Sequence, residues 1–176
     1  MYKRQVWGIL PKDRIEIKTK KENVDYRKLI AAGSCFAEGE EVIDYGFVER
    51  WILGLEEKYG VEVMQVGYDR YNAISTVQKL EANSMECVEV KQHSSVLHPP
   101  TKLLREAILK KEFAYDENRL LEINFQNARC TEDTNLNKYV NKKRSAGKVD
   151  MVVSTIIAVY LMQQAMLDNS ELDWGI

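Results

Sequence analysis

Two aspartates stand where a carboxylate could do chemistry. Asp69 closes the alternating stretch VEVMQVGY and is followed by the polar cluster RYNA. In α/β sheets, ligands gather beyond the carboxyl ends of strands, where the chain turns. Asp150 lies in SAGKVDMVV, at the mouth of a long apolar segment, where a helix N-terminus favours an ionised side chain. Taken singly, each reads most simply as a turn residue or a helix-start aspartate. Taken together they suggest more. Mg²⁺ prefers oxygen ligands and often takes one or two carboxylates plus phosphate oxygens and water. Two such ions about 3.5–4 Å apart can activate a water and stabilise the leaving oxygen of a phosphodiester. That site needs acidic side chains from separate elements meeting at one sheet rim. Asp69 and Asp150 fit the plan, whereas spacing identifies no third carboxylate.

Just ahead of Asp150 runs NKKRSAGK, with Lys142, Lys143, Arg144 and Lys148, the densest basic stretch of the chain. Beside a metal site it could hold a nucleic-acid backbone; elsewhere it is a solvated loop. His93 and His98, the only histidines, flank a loop before the prolines; two histidines alone make a poor metal site, and none is expected there.

The elements that position these residues can be read from periodicity. VWGILP reads as a strand stopped by Pro11, and DRIEIKTKKENV as a short alternating segment followed by a solvated charged stretch. DYRKLIAAG suits a short helix closed by Gly33 in a left-handed C-cap. Asp44 is the expected N-cap of a helix over residues 45–59, with Val48, Trp51, Ile52, Leu55 and Tyr59 as its apolar stripe and Gly60 as its end. VEVMQVGYD is the next strand, residues 71–83 a helix, and MECVEVKQ another strand, a β–α–β succession that signals an α/β sheet with parallel pairing. HPPTK opens a further helix, with Pro100 near its first turn. Residues 119–128 fit helix or strand, ARCTED and NKYVNKK fit a hairpin across Asn135, and residues 149–167 form the last helix before a loose tail over 168–176.

At 176 residues one domain with a sizeable core is expected. A net charge of −2 gives no global sign of nucleic-acid binding, so any such binding must be local. Cys35, Cys87 and Cys130 are odd in number and contain no CxxC unit, against both a disulfide framework and a zinc site. The apolar run MVVSTIIAVYLM is short for a bilayer span and carries Ser154 and Thr155, so a buried helix is expected. No secretory signal is visible. The opening MYKRQ matches the translation of a transposase sequencing adapter read from a GTG start, which would place the first native codon near Val6.

Three stretches in order, VIDYGFVERWILGLEEKYGVEVMQVGYDRYNA, LHPPTKLLREAILKKEF and KKRSAGKVDMVVSTIIAV, resemble the C-terminal nuclease domain of tailed-phage terminase large subunits over about residues 6–165. The resemblance implies a ribonuclease H-like mixed sheet flanked by helices, with acidic residues binding Mg²⁺ or Mn²⁺. It implies an endonuclease that cuts concatemeric phage DNA in the infected host cytoplasm. The partners implied are double-stranded DNA and, for the full-length protein, the terminase small subunit and portal; no membrane is involved. Asp69 matches the aspartate of a YDRWNA-like motif and Asp150 that of a GKID-like motif, both as metal ligands. Lys148 belongs to the second motif as a backbone or phosphate contact, and Asn72 to the first as a residue that caps or orients the turn.

Members of that family carry an ATPase domain, yet no G-x-x-x-x-G-K-[ST] occurs here, so no ATP site is expected in this chain. The family's first catalytic aspartate lies on a strand upstream of VWGILP, so the sheet is expected to lack its first strand and the chain to cleave weakly or not at all. The alternatives are another ribonuclease H-like nuclease, such as a resolvase or transposase core, and a non-catalytic interaction domain in which both aspartates are caps.

Overall fold

Short strands alternate with helices along the chain. In order these are β1 (Tyr2–Arg4), β2 (Gly8–Leu10), α1 (Ile15–Glu22), α2 (Tyr26–Ala31), β3 (Cys35–Ala37), α3 (Tyr45–Leu53), α4 (Leu55–Tyr59), β4 (Val66–Tyr68) and α5 (Ile74–Ala82). Then follow β5 (Cys87–Glu89), α6 (Ser94–Leu109), β6 (Phe113–Tyr115), α7 (Arg119–Asn127), β7 (Cys130–Glu132), β8 (Lys138–Val140) and α8 (Asp150–Asp168). The computed structural model describes residues 2–168; the tail expected beyond α8 lies outside the described residues.

The class is mixed α/β, as expected. Its strands pair as β1–β6, β2–β3 and β4–β5, all parallel, and β7–β8, antiparallel. Each ladder is three residues long and no strand belongs to two of them, so side-chain packing rather than a continuous ladder joins the pairs. β1 falls within the residues expected to derive from an adapter, and it pairs with Phe113–Tyr115.

Packing is organised by α8. Met151, Val152, Val153, Thr155, Ile156, Ile157, Val159 and Leu161 are all buried. Most of them join Val90, Leu97, Leu104 and Val140 in one apolar cluster, while Met151 belongs to a second with Leu10, Tyr26, Leu29, Cys35, Leu120 and Leu121. Burying one such aliphatic side chain is worth about 1.5–3 kcal/mol, so α8 supplies a large share of the core. At 19 residues it has the length and composition to cross a membrane, longer than its central apolar run suggests. Its apolar residues face protein on several sides, which is the pattern of a core helix.

β4 meets α8 through Gly67. A Cβ at this position would stand 2.5 Å from Ile157 Cγ2 and 2.8 Å from Leu161 Cδ1. The missing side chain is what lets the strand lie against the helix.

Helix starts follow local chemistry. Asp44 accepts a hydrogen bond from Gly46 N at 2.8 Å, as expected of an N-cap, and Gly33 takes a positive φ of 74° after α2. The helix expected over 45–59 is broken at Gly54 into α3 and α4, glycine being the poorest helix former after proline. Trp51 nevertheless gathers Trp7, Phe36, Phe47 and Tyr59 around it. Behind α3, the buried Glu49 accepts from Thr76 Oγ1 at 3.1 Å and Lys79 Nζ at 3.0 Å, fastening α3 to α5.

Several expectations are corrected. Residues 15–22 are helical rather than alternating and irregular. Ile15 and Ile17 mimic a strand, but Glu and Lys are good helix formers, and Lys18 pairs with Glu22 one turn on. α6 begins at Ser94, well before the prolines. His93 Nδ1 accepts from Ser95 N, and burial of Leu97, Pro100, Thr101 and Leu104 offsets the amide bonds that Pro99 and Pro100 cannot donate. Residues 119–128 resolve as α7, and of VEVMQVGYD only Val66–Tyr68 is strand.

The β7–β8 hairpin forms as expected and is tied down by Asp133. Its carboxylate accepts from Ser94 Oγ at 2.6 Å, Asn137 Nδ2 at 3.0 Å, and the amides of Asn135 and Asn137 at 2.8 and 2.9 Å. These donors, Ser94 foremost, hold its carboxyl well below the usual carboxylate range. His98 Nδ1 accepts from Lys138 N at 2.8 Å, so both histidines serve structure.

Candidate active site

α8 begins beside α7 because one side chain joins them. Asn124 is 3% exposed; its Oδ1 accepts from Met151 N at 3.2 Å and its Nδ2 donates to Leu120 O at 2.9 Å. A first-turn amide of α8 is therefore satisfied from α7 rather than by the Asp150 carboxylate. Asn127 Nδ2 adds a bond to Lys148 O at 3.2 Å. Asp150 is left 65% exposed, its Oδ1 3.4 Å from Lys142 Nζ.

The Asp150 carboxylate lines a groove of about 430 Å³ together with Lys148, Ser154, Tyr26, Lys18 and residues of β2. Tyr26 is held protonated: burial first, then its hydrogen bond to Glu22, push its pKa well above the usual tyrosine range. Its hydroxyl is thus a neutral donor already committed to Glu22.

Asp69 follows β4 directly. Gly67 faces α8, and Asp69 stands just beyond Tyr68, the last residue of β4. Its Oδ1 accepts from Tyr71 N at 3.3 Å, and Asn72 takes a positive φ of 59° in the turn behind it. Asn72 therefore orients the turn by its backbone. Ile157 and Leu161, which flank Gly67, lie about 10 and 16 Å along α8 from Asp150 at 1.5 Å per residue. Asp69 lies two residues after Gly67, past the end of β4, and it does not line the groove that holds Asp150. The two aspartates do not share that groove.

The basic stretch is divided by its own turn. Asn141 Oδ1 accepts from the amides of Lys143 and Arg144 at 3.0 and 3.2 Å, and Asn141 O accepts from Ser145 Oγ at 2.8 Å. Lys142 and Lys148 line a second groove, of about 820 Å³, while Lys143 and Arg144 line neither groove. That second groove also collects Lys18, Lys21 and Arg119, which spacing in the sequence gave no reason to associate with Asp150. Asn124 was detectable in principle: with Leu120 and Leu121 it is a polar residue at helical spacing on an apolar stripe.

Among the described residues no group of three or more His, Cys, Asp or Glu side chains is placed to hold a metal ion. The donor chemistry suits a hard cation only with help. An exposed carboxylate supplies oxygen, and phosphate oxygens and water would have to complete the shell.

An open carboxylate at the mouth of a buried helix, flanked by cations, is a layout suited to an α/β domain that handles phosphodiesters. Comparison with known sequences defines the family. The chain matches the family model described as "Terminase large subunit, endonuclease domain" over residues 5–166 and belongs to that family. By family it is a terminase nuclease domain. Its fold is similar to that in the crystal structure of the HK97 bacteriophage large terminase, with a TM-score of 0.77 at 19% identity over 88% of this chain and 32% of that one. It is also similar to the large terminase nuclease from thermophilic phage G20c, with a TM-score of 0.53 at 19% identity over 67% of this chain and 62% of that one. The chain thus spans about a third of the HK97 protein. No curated protein matches it.

Proposed function

We propose that this chain is the metal-dependent DNA-cutting part of a packaging terminase, hydrolysing phosphodiester bonds of concatemeric viral DNA in the infected cell. Asp150 and Asp69 are the carboxylates that would hold Mg²⁺ or Mn²⁺. A bound ion pair would supply Lewis acidity and an activated water. Lys148, at the lip of the Asp150 groove, contacts a substrate phosphate. Lys142 is released from Asp150 to do the same, and Lys143 and Arg144 add long-range attraction. The terminase small subunit and the portal are the partners of the longer protein.

One observation carries this assignment. Asn124 takes over the capping of α8, so the Asp150 carboxylate is open to the groove and unneeded for the helix. A capping aspartate would be turned onto its own backbone, as Asp44 and Asp25 are. Because the described residues offer no three-carboxylate cluster, cleavage by this chain alone is expected to be weak. The test is Mn²⁺-dependent nicking of supercoiled plasmid by the parent chain and by Asp150→Asn. Slow nicking that disappears in the variant supports the assignment; nicking that survives it removes Asp150 from the chemistry.

A further inference from the structure

The two grooves adjoin and together make a trough. They share Lys18, Tyr26, Leu120, Asn124 and Lys148, and Asp150 lies at one end only. The far part is walled by Lys21 of α1, Arg119 at the start of α7, and Lys142. Of the charged side chains lining that part, Lys18, Lys21, Arg119, Lys142 and Lys148 are cations and Glu22 alone is an anion. In a chain of net charge −2, such a local excess is a positive stripe on an otherwise balanced surface.

The cations come from three separate segments and line a groove of about 820 Å³, large for one small anion. A single small anion would need convergence; a polyanion needs spacing. Of the rings lining the trough, Trp7 packs against Trp51 and Tyr59 and Tyr26 is buried with its hydroxyl held by Glu22, so the part that carries the cations offers no open aromatic face for stacking on a base. Contacts of this kind position a phosphate backbone without reading sequence.

We propose that the trough seats one phosphate backbone of a DNA duplex, with Lys21 and Arg119 as contacts remote from Asp150 that lead the strand toward it. The proposal rests on the nuclease assignment above and extends it to α1 and α7, the grip being independent of base sequence. Lys18 is tied to Glu22 at 3.6 Å and keeps the wall in register. Lys21 is free to reach solvent, and the Arg119–Glu122 pair, at 2.8 Å with Arg119 58% exposed, is weak enough for a phosphate to displace.

The experiment measures anisotropy of labelled 20-base-pair duplexes of two unrelated sequences, in metal-free buffer across a KCl series. It compares the full chain with Lys21→Glu/Arg119→Glu and with the control Lys91→Glu/Lys110→Glu, which carries the same charge change outside the trough. Each lost phosphate contact makes the slope of log K against log salt shallower by about 0.9. The trough variant is therefore expected to lose about 1.8 of slope and at least tenfold in affinity at low salt, equally for both sequences. The control should lose less than about threefold. The milder Lys21→Gln/Arg119→Gln variant must show the same change of slope, which guards against misfolding of the charge-reversed one. Equal losses in trough and control variants, an unchanged slope, strong preference between the duplexes, or no binding by the parent chain would each overturn the proposal. Cleavage is scored separately with Asp150→Asn, so failure of the trough and failure of the nuclease assignment are distinguishable.

Discussion

Lys142 Nζ lies 3.4 Å from Asp150 Oδ1, joining the basic segment to the carboxylate at the mouth of α8. With the two side chains 50% and 65% exposed, such a pair is worth at most about 1 kcal/mol. A divalent cation or a phosphate can therefore separate them at little cost. Asp150→Asn should leave the urea midpoint equivalent to within about 0.5 kcal/mol while abolishing Mn²⁺-dependent nicking. A large loss of stability would instead make Asp150 a structural residue.

Asn124 is the opposite case. Its side chain is buried and bonded at both ends. Asn124→Ala leaves Met151 N without that acceptor, at a cost of about 1–3 kcal/mol, visible in chemical denaturation. Nicking should fall as well, because the mouth of α8 is no longer fixed against α7.

Acid should loosen the hairpin through Asp133. Its folded-state pKa is depressed, so the stability it contributes is present above the unfolded value, about 3.9, and is lost as pH falls through the folded one. Asp133→Asn should be less stable than the parent at pH 7. The difference should shrink steadily below about pH 4 as the parent's own carboxylate protonates. A gap that widens in acid would contradict this sign. Urea denaturation at several pH values is the check.

Gly67→Ala tests the strand–helix contact. The added methyl overlaps Ile157 and Leu161, and overpacking of this sort costs about 1–3 kcal/mol. Gly33→Ala is a useful contrast: nothing stands near its Cβ, so any loss there reflects the positive φ alone.

Local signals were the legible part of the sequence. The Asp44 cap, the Gly33 terminator and the long apolar helix after Asp150 each depend on neighbouring residues, and each appears where periodicity and capping chemistry placed it; the strand before Asp69 forms, but only over Val66–Tyr68. What depends on distant residues was not legible. Two isoleucines at alternate positions disguised α1 as extended chain, and with it the chance to see Lys18 and Lys21 as neighbours of Lys148. The start of α6 was hidden because buried Leu97 and Leu104 outweigh two prolines. That Asn124 rather than Asp150 serves the first turn of α8 is a tertiary fact, set by how α7 lies across it.

α8 enters both apolar clusters, through Met151 on one side and the residues from Val152 onward on the other. Neither cluster can melt without stripping a wall from its neighbour. Heat or denaturant should therefore take the domain apart in one cooperative, all-or-none step. The carboxylate at the head of that helix would then keep its geometry until the whole fold gives way.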